Sequence, residues 1–191
     1  RYKKTYGYLW RKMSLYNLLH HENIQNFVKE KFKWDNVVIP GGQVVHMQAN
    51  SLKIPNGDFG LEAHQDFPSV QGSLDGFVVW VPLVDIDVNR YPLEVIPCSH
   101  KNGILPSSEN SSASWEIKPE CYQEADFVPA ICEVGDVIFM SNFTVHRSSK
   151  KGDNRLRMAC STRYDNANEE AFIERCYPSA YIRSVERKII I

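Results

Sequence analysis

The chain has 191 residues, 43% of them hydrophobic and 24% charged, with 22 basic against 23 acidic side chains for a net charge of −1. That size and balance fit one soluble globular domain spanning 1–191, and they lack the basic excess of a nucleic-acid or anionic-membrane binder. A small molecule is the expected partner. The five cysteines, Cys98, Cys121, Cys132, Cys160 and Cys176, include no Cys-x-x-Cys pair, so neither a disulfide framework nor a zinc knuckle is indicated and a cytoplasmic setting is expected. No apolar run approaches the roughly eighteen residues of a membrane span. The start, Arg1-Tyr2-Lys3-Lys4, has no signal-peptide core, and a first residue other than Met leaves room for residues before it.

From residue 13 to 32, Leu15, Leu18, Leu19, Ile24, Phe27, Val28 and Phe32 recur at spacings of three and four, which predicts one or two amphipathic helices bracing a sheet, within a helical support over 1–34. His20 and His21 are adjacent and cannot both face one metal from a helix, so they are read as a solvated face. After Trp34 the chain turns to β. Residues 37–39, the Pro40-Gly41-Gly42 punctuation and residues 43–49 read as strand, turn, strand. On the second of these, Val44, His46 and Gln48 share a face. His46 is either a satisfied structural histidine or a pocket residue.

Residues 77–84, Phe-Val-Val-Trp-Val-Pro-Leu-Val, form the most continuous apolar run and predict a buried strand with Pro82 near its end. Further strands are expected at 93–96, 127–131, 136–140 and 155–164. Residues 101–126 contain the only serine-rich patch and read as a long surface loop or lid. The expected architecture is therefore mainly β with N-terminal helices: a core over 37–164 and a C-terminal extension over 165–191.

Two stretches carry chemistry. His64-Gln65-Asp66 on an extended segment would place an imidazole and a carboxylate on one face, and His146 follows the apolar run 136–140. A His-x-Asp pair alone is weak, because chance nearly supplies it. Two imidazoles and one carboxylate on one face of a metal leave three positions open, the arrangement of non-haem Fe(II) oxygenases. No Gly-x-Ser-x-Gly elbow occurs, since Gly72-Ser73-Leu74-Asp75-Gly76 sets its serine one place early, and no phosphate-cradling Gly-x-x-x-x-Gly-Lys loop is present.

Taken together and in order, His64-Gln65-Asp66, Trp80-Val81-Pro82-Leu83, Pro97-Cys98-Ser99-His100-Lys101, Gly135-Asp136-Val137-Ile138-Phe139, His146-x-Ser148 and Arg157 resemble the phytanoyl-CoA dioxygenase-like family of Fe(II)/2-oxoglutarate oxygenases over 43–164. The resemblance implies a double-stranded β-helix (jelly-roll, cupin-like), with His64, Asp66 and His146 as iron ligands. It also implies 2-oxoglutarate as co-substrate and O2 as oxidant, with hydroxylation of a small molecule and release of succinate and CO2. By the family spacing Arg157, eleven residues after His146, grips the far carboxylate of 2-oxoglutarate, and Ser148 reaches the same group. Gln48 corresponds to an amide that contacts 2-oxoglutarate in some relatives, and Trp80 to an aromatic lining the iron pocket; a core role for Trp80 stands equally open.

Cys98 departs from the family's Pro-Gly-Ser-His and implies a strained or relaxed turn, while His100 is read as framework rather than ligand. Substrate choice is expected from residues 67–71, Arg163 and the 101–126 loop, and the absence of an extended basic surface favours a metabolite smaller than an acyl-coenzyme A. A jelly-roll metal enzyme working without 2-oxoglutarate, or a non-catalytic metal-binding module of the same fold, remain the alternatives.

Overall fold

A computed structural model describes residues 8–39, 43–53, 60–108 and 116–178. Two N-terminal helices, α1 (Met13–Leu19) and α2 (Glu22–Phe32), meet the predicted bounds. They break at the histidine pair: His21 caps α2 by accepting from the Asn23 N–H at 3.2 Å, and His20 stacks on Tyr16 at 3.9 Å. Lys33, left-handed at φ 59°, ends α2.

Among the described residues eight strands follow: β1 (Val37–Val38), β2 (Val44–Gln48), β3 (Phe77–Pro82), β4 (Leu93–Val95), β5 (Val128–Ala130), β6 (Ile138–Ser141), β7 (His146–Ser148) and β8 (Arg157–Asn166). They form two antiparallel sheets in a jelly-roll. The larger runs β1-β8-β3-β6 with β2 also on β8, and the smaller runs β5-β4-β7. The ten-residue β8 is the spine. It pairs with β3 along one edge and, along the other, with β1 at residues 165–166 and β2 at residues 157–161. The predicted strand-turn-strand at 37–49 is thus no hairpin, because one long strand offers both short ones a better partner than each other. Pro40, Gly41 and Gly42 lie outside the described residues.

Alternation along β3 and β8 sorts their side chains into two cores. Phe77, Val79, Val81, Cys160 and Tyr164 face the helices and bury Leu19, Ile24, Val28 and Trp34. Each such side chain contributes about 1.5–3 kcal/mol when fully buried. Val78, Trp80 and Ala159 face inward, toward the smaller sheet, with Leu93 and Met140. The site lies on this inner side.

The predicted loop at 101–126 is only partly a loop. Ser107 bridges Ile117, Glu116 bridges His64, and Ile117 is buried with Ala63 and Val145, so both flanks of this stretch extend the smaller sheet beside His64. Ile117 needed an apolar partner and found it next to the site. Its C-terminal end is tied down by Glu124, which accepts from Arg147 at 2.7 Å. Residues 109–115, which hold much of the serine-rich patch, lie outside the described residues, as do residues 54–59. At the C-terminal end β8 continues to Asn166 and a short α4 (Glu170–Glu174) follows. Among the described residues no helix is long and apolar enough to cross a membrane.

Candidate metal and co-substrate site

Asp66 and the two histidines converge, though not by the strand parity expected. His64 sits in a one-residue antiparallel bridge to His146, each backbone N–H donating to the other's carbonyl at 3.0 Å. Asp66 has already left the extended conformation, at φ −75° and ψ −31°, and opens the one-turn helix α3 (Phe67–Val70). Cross-sheet pairing brings the histidine rings to 4.2 Å between centroids, and the turn at Asp66 swings its carboxylate beneath them. Asp66 Oδ1 lies 3.6 Å from His64 Nε2 and 4.0 Å from His146 Nε2. One ligand atom from each of the three falls within 4.8 Å of the others, and all three residues are buried.

Backbone carbonyls fix both tautomers. His64 Nδ1 is 2.7 Å from the Glu62 carbonyl and His146 Nδ1 is 2.9 Å from that of Thr144. Each Nδ1–H is therefore donated to the backbone, leaving both Nε2 lone pairs directed at Asp66. Burial, then the neighbouring His64, hold His146 down to about 4, so it is neutral near pH 7 and available as a ligand. Burial by itself would raise Asp66, but Arg163, then His146 and His64, outweigh it and keep the carboxylate ionised. This donor set fits a divalent transition metal.

A second group faces this one across the interior. Arg157, 1% exposed at the start of β8, lies over the Trp80 ring at 5.5 Å and donates from Nη1 to Gln48 Oε1. Its Nε–H has no acceptor among the described residues. Burial lowers it to about 10, with no carboxylate opposing the shift. A buried guanidinium without an anion is a costly feature in a folded protein, and a dicarboxylate bound in the cavity would complete it.

Ser148 lines the same cavity; its Oγ accepts from the Leu61 N–H at 3.2 Å and keeps its own proton to donate. Gly60, at φ +90°, permits the close approach here, since a Cβ on it would meet Gln48 Nε2 at 2.5 Å and Ser148 Cβ at 2.6 Å. That cradle and the unpartnered Arg157 Nε fit 2-oxoglutarate.

Trp80 combines both readings left open for it: it belongs to the inner core and also lines the cavity, with no acceptor for its Nε1–H among the described residues. Gln48 is not among the lining residues; it stands behind Arg157 and acts on the cavity through that guanidinium. His46 does line it, with Nε2 3.0 Å from Ser161 Oγ, and burial, then Arg157 and Arg163, keep it neutral. His100 is exposed and apart from the metal set. The framework residue of its motif is Ser99, whose Oγ donates to the Ile96 carbonyl at 2.7 Å and accepts from Val145 N–H at 2.8 Å. Cys98 occupies the left-handed conformation, φ 63°, that a glycine would take more readily.

The family model described as phytanoyl-CoA dioxygenase (PhyH) matches residues 9–159. The chain belongs to this family. No curated protein sequence matches it. Among solved structures, the phytanoyl-CoA dioxygenase-family chain resembles the non-haem monooxygenase ThoJ, with a TM-score of 0.62 at 19% identity over 80% of this chain and 55% of that one. It also resembles the epimerase SnoN of nogalamycin biosynthesis, in complex with Fe3+, α-ketoglutarate and nogalamycin RO: TM-score 0.62, 20% identity, 82% of this chain and 60% of that one. The α-ketoglutarate-dependent carbocyclase SnoK aligns with a TM-score of 0.60 at 16% identity, over 89% of this chain and 68% of that one. At these identities the likeness establishes the jelly-roll fold. The chain spans a little over half the length of the first two proteins.

Sequence reasoning weighed Arg163 only as a specificity residue and did not find its tie to Asp66. Parity offered the clue, since Arg157 and Arg163 alternate onto the same face of β8. Gly60 and Ser161 carried no signal of their own.

Proposed function

We propose that this chain is a non-haem Fe(II)/2-oxoglutarate-dependent oxygenase that hydroxylates a small-molecule metabolite. The observation that carries the reading is the pairing, in one cavity, of a buried His-Asp-His donor set with a buried arginine that has no acidic partner among the described residues. In this reading His64, Asp66 and His146 hold the iron, and Arg157 with Ser148 holds the far carboxylate of 2-oxoglutarate. When bound, iron and co-substrate supply the oxidation, in which 2-oxoglutarate and O2 give succinate, CO2 and one oxygen atom transferred to the substrate.

The chain's own residues position and exclude. The backbone carbonyls of Glu62 and Thr144 accept from Nδ1 of the two histidines and hold both rings with Nε2 turned into the site. Gln48 fixes the Arg157 fork from behind. Trp80, Val78, Leu93 and Met140 make the inner wall apolar, which keeps water from the reacting carbon. Three imidazole or carboxylate donors leave coordination positions for a chelating co-substrate and for O2.

The test is succinate formation from 2-oxoglutarate by purified protein with Fe(II) in air, without and with a library of small hydrophobic substrates. Turnover that vanishes in Asp66→Ala and His146→Ala supports the assignment; a product heavier by one oxygen atom identifies hydroxylation. Turnover of a substrate with no succinate formed would instead indicate a jelly-roll metal enzyme that works without 2-oxoglutarate.

A further inference from the structure

Asp66 behaves unusually for an aspartate at the head of a helix. An aspartate there normally turns back to cap free N–H groups, yet its side chain makes no such hydrogen bond. Instead it reaches across the interior to β8, where Arg163 donates from Nε at 3.1 Å and from Nη2 at 2.6 Å. Both donations land on Oδ2. A two-point arginine fork commonly engages both carboxylate oxygens; here Nε and Nη2 share one, which leaves Oδ1 turned toward the two Nε2 atoms at 3.6 and 4.0 Å.

We propose that Arg163 is the positioning residue that makes Asp66 a one-oxygen metal ligand, by holding Oδ2 away from the metal through two N–H groups while Oδ1 completes the face with His64 and His146. The inference rests on the iron-site reading and deepens it. The pair is shielded, with the Arg163 side chain 14% exposed and that of Asp66 4%, so water does not compete for the grip as it does at a surface ion pair. No hydrogen bond from α3 orients the carboxylate, which leaves β8 to do so.

Arg157 and Arg163 lie six residues apart on one face of that strand, so a single rigid element positions the metal carboxylate at one end and the co-substrate cradle at the other. A carboxylate that chelated with both oxygens would close one of the positions the chemistry needs. Lysine could replace the charge of Arg163 but not its planar two-point fork.

Cobalt(II), which binds without redox chemistry and reports coordination through its visible absorption, tests this on the purified protein. Wild type, Asp66→Ala, Arg163→Met and Arg163→Lys are titrated by calorimetry and their Co(II) spectra recorded. Asp66→Ala is expected to abolish the site. Arg163→Met is expected to weaken Co(II) binding about 10–100-fold, the usual effect of removing an outer partner of a metal ligand, and to change the absorption band as Asp66 swings to two-oxygen ligation. Arg163→Lys is expected to recover part of the affinity without the wild-type band. If wild type binds no Co(II), or Asp66→Ala binds it with the wild-type affinity and band, the metal-site reading itself fails. If Asp66→Ala abolishes binding while Arg163→Met keeps the wild-type affinity and band, only the role of Arg163 is overturned. Should Arg163→Met not fold, a wild-type band in Arg163→Lys overturns it instead.

Discussion

Replacing Arg157 by methionine separates what the folded chain needs from what its co-substrate needs. The guanidinium is 1% exposed and burial lowers it from its ordinary value to about 10. That displacement corresponds to roughly 3 kcal/mol of unfavourable burial. Because the folded value lies below the unfolded one, the full penalty applies at every pH under about 10 and is relieved only as pH rises beyond it. Methionine removes it. The substitution also forfeits the cation–π contact with the buried Trp80, worth about 2 kcal/mol when desolvated, and leaves Gln48 Oε1 buried without this donor, at about 1 kcal/mol.

The ligand-free Arg157→Met protein should therefore be as stable as wild type to within about 1 kcal/mol, and Arg157→Met with Gln48→Leu should gain roughly 1 kcal/mol over the single variant. Binding should move the other way. Removing one side of a buried charge pair costs about 2–5 kcal/mol, a loss of roughly 30- to several-thousand-fold in 2-oxoglutarate affinity. Urea denaturation of the metal-free protein measures the first quantity, and calorimetric titration of 2-oxoglutarate into the Mn(II)-loaded protein measures the second. Destabilisation by more than about 2 kcal/mol together with 2-oxoglutarate affinity near that of wild type would show that Arg157 is a structural cation and refute the reasoning.

Three further predictions address the surroundings. Gly60→Ala places a methyl against Gln48 and Ser148 at a positive φ, and should weaken 2-oxoglutarate binding about 10–100-fold by calorimetry while leaving metal affinity unchanged. Asp165 is buried, its Oδ1 accepts from the Ser73 N–H and Oγ–H, and burial pushes it up to about 6. Its folded value exceeds the unfolded 3.8, so stability present below about pH 4 is lost as pH rises through 6; Asp165→Asn should flatten that slope and raise stability at pH 7–8 by up to roughly 3 kcal/mol in urea melts. Leu19→Ala, in the layer between helices and larger sheet, should cost about 2–5 kcal/mol in the same assay without altering metal affinity.

Much of this was legible in the residues. The helices at 13–32 and the buried strand at 77–82 declared themselves because their apolar periodicities are long enough to exclude other readings. The convergence of His64, Asp66 and His146 was legible only through spacing shared with a family, since nothing local to His146 shows that it faces His64. The pairing was hidden for a physical reason: β7 is three residues long and His64 joins it by a single bridge, too short for any alternation to register. Asp66 reached the site by a turn rather than by parity. The 101–126 stretch concealed its sheet contribution because only two short flanks, around Ser107 and Ile117, pair, and a polar sequence separates them. Arg163 carried a visible charge on a visible face, but a cation's partner across a barrel is a tertiary fact that no local pattern encodes.

The most direct test of the central claim is anaerobic absorption spectroscopy of the protein with Fe(II) and 2-oxoglutarate. Chelation of the iron by the keto-acid end produces a visible metal-to-ligand charge-transfer band that neither component gives alone. The account predicts this band in wild type, its loss in His64→Ala and Asp66→Ala, and its appearance in Arg157→Met only at much higher 2-oxoglutarate. Absence of the band in folded, iron-loaded wild-type protein at saturating 2-oxoglutarate would contradict it.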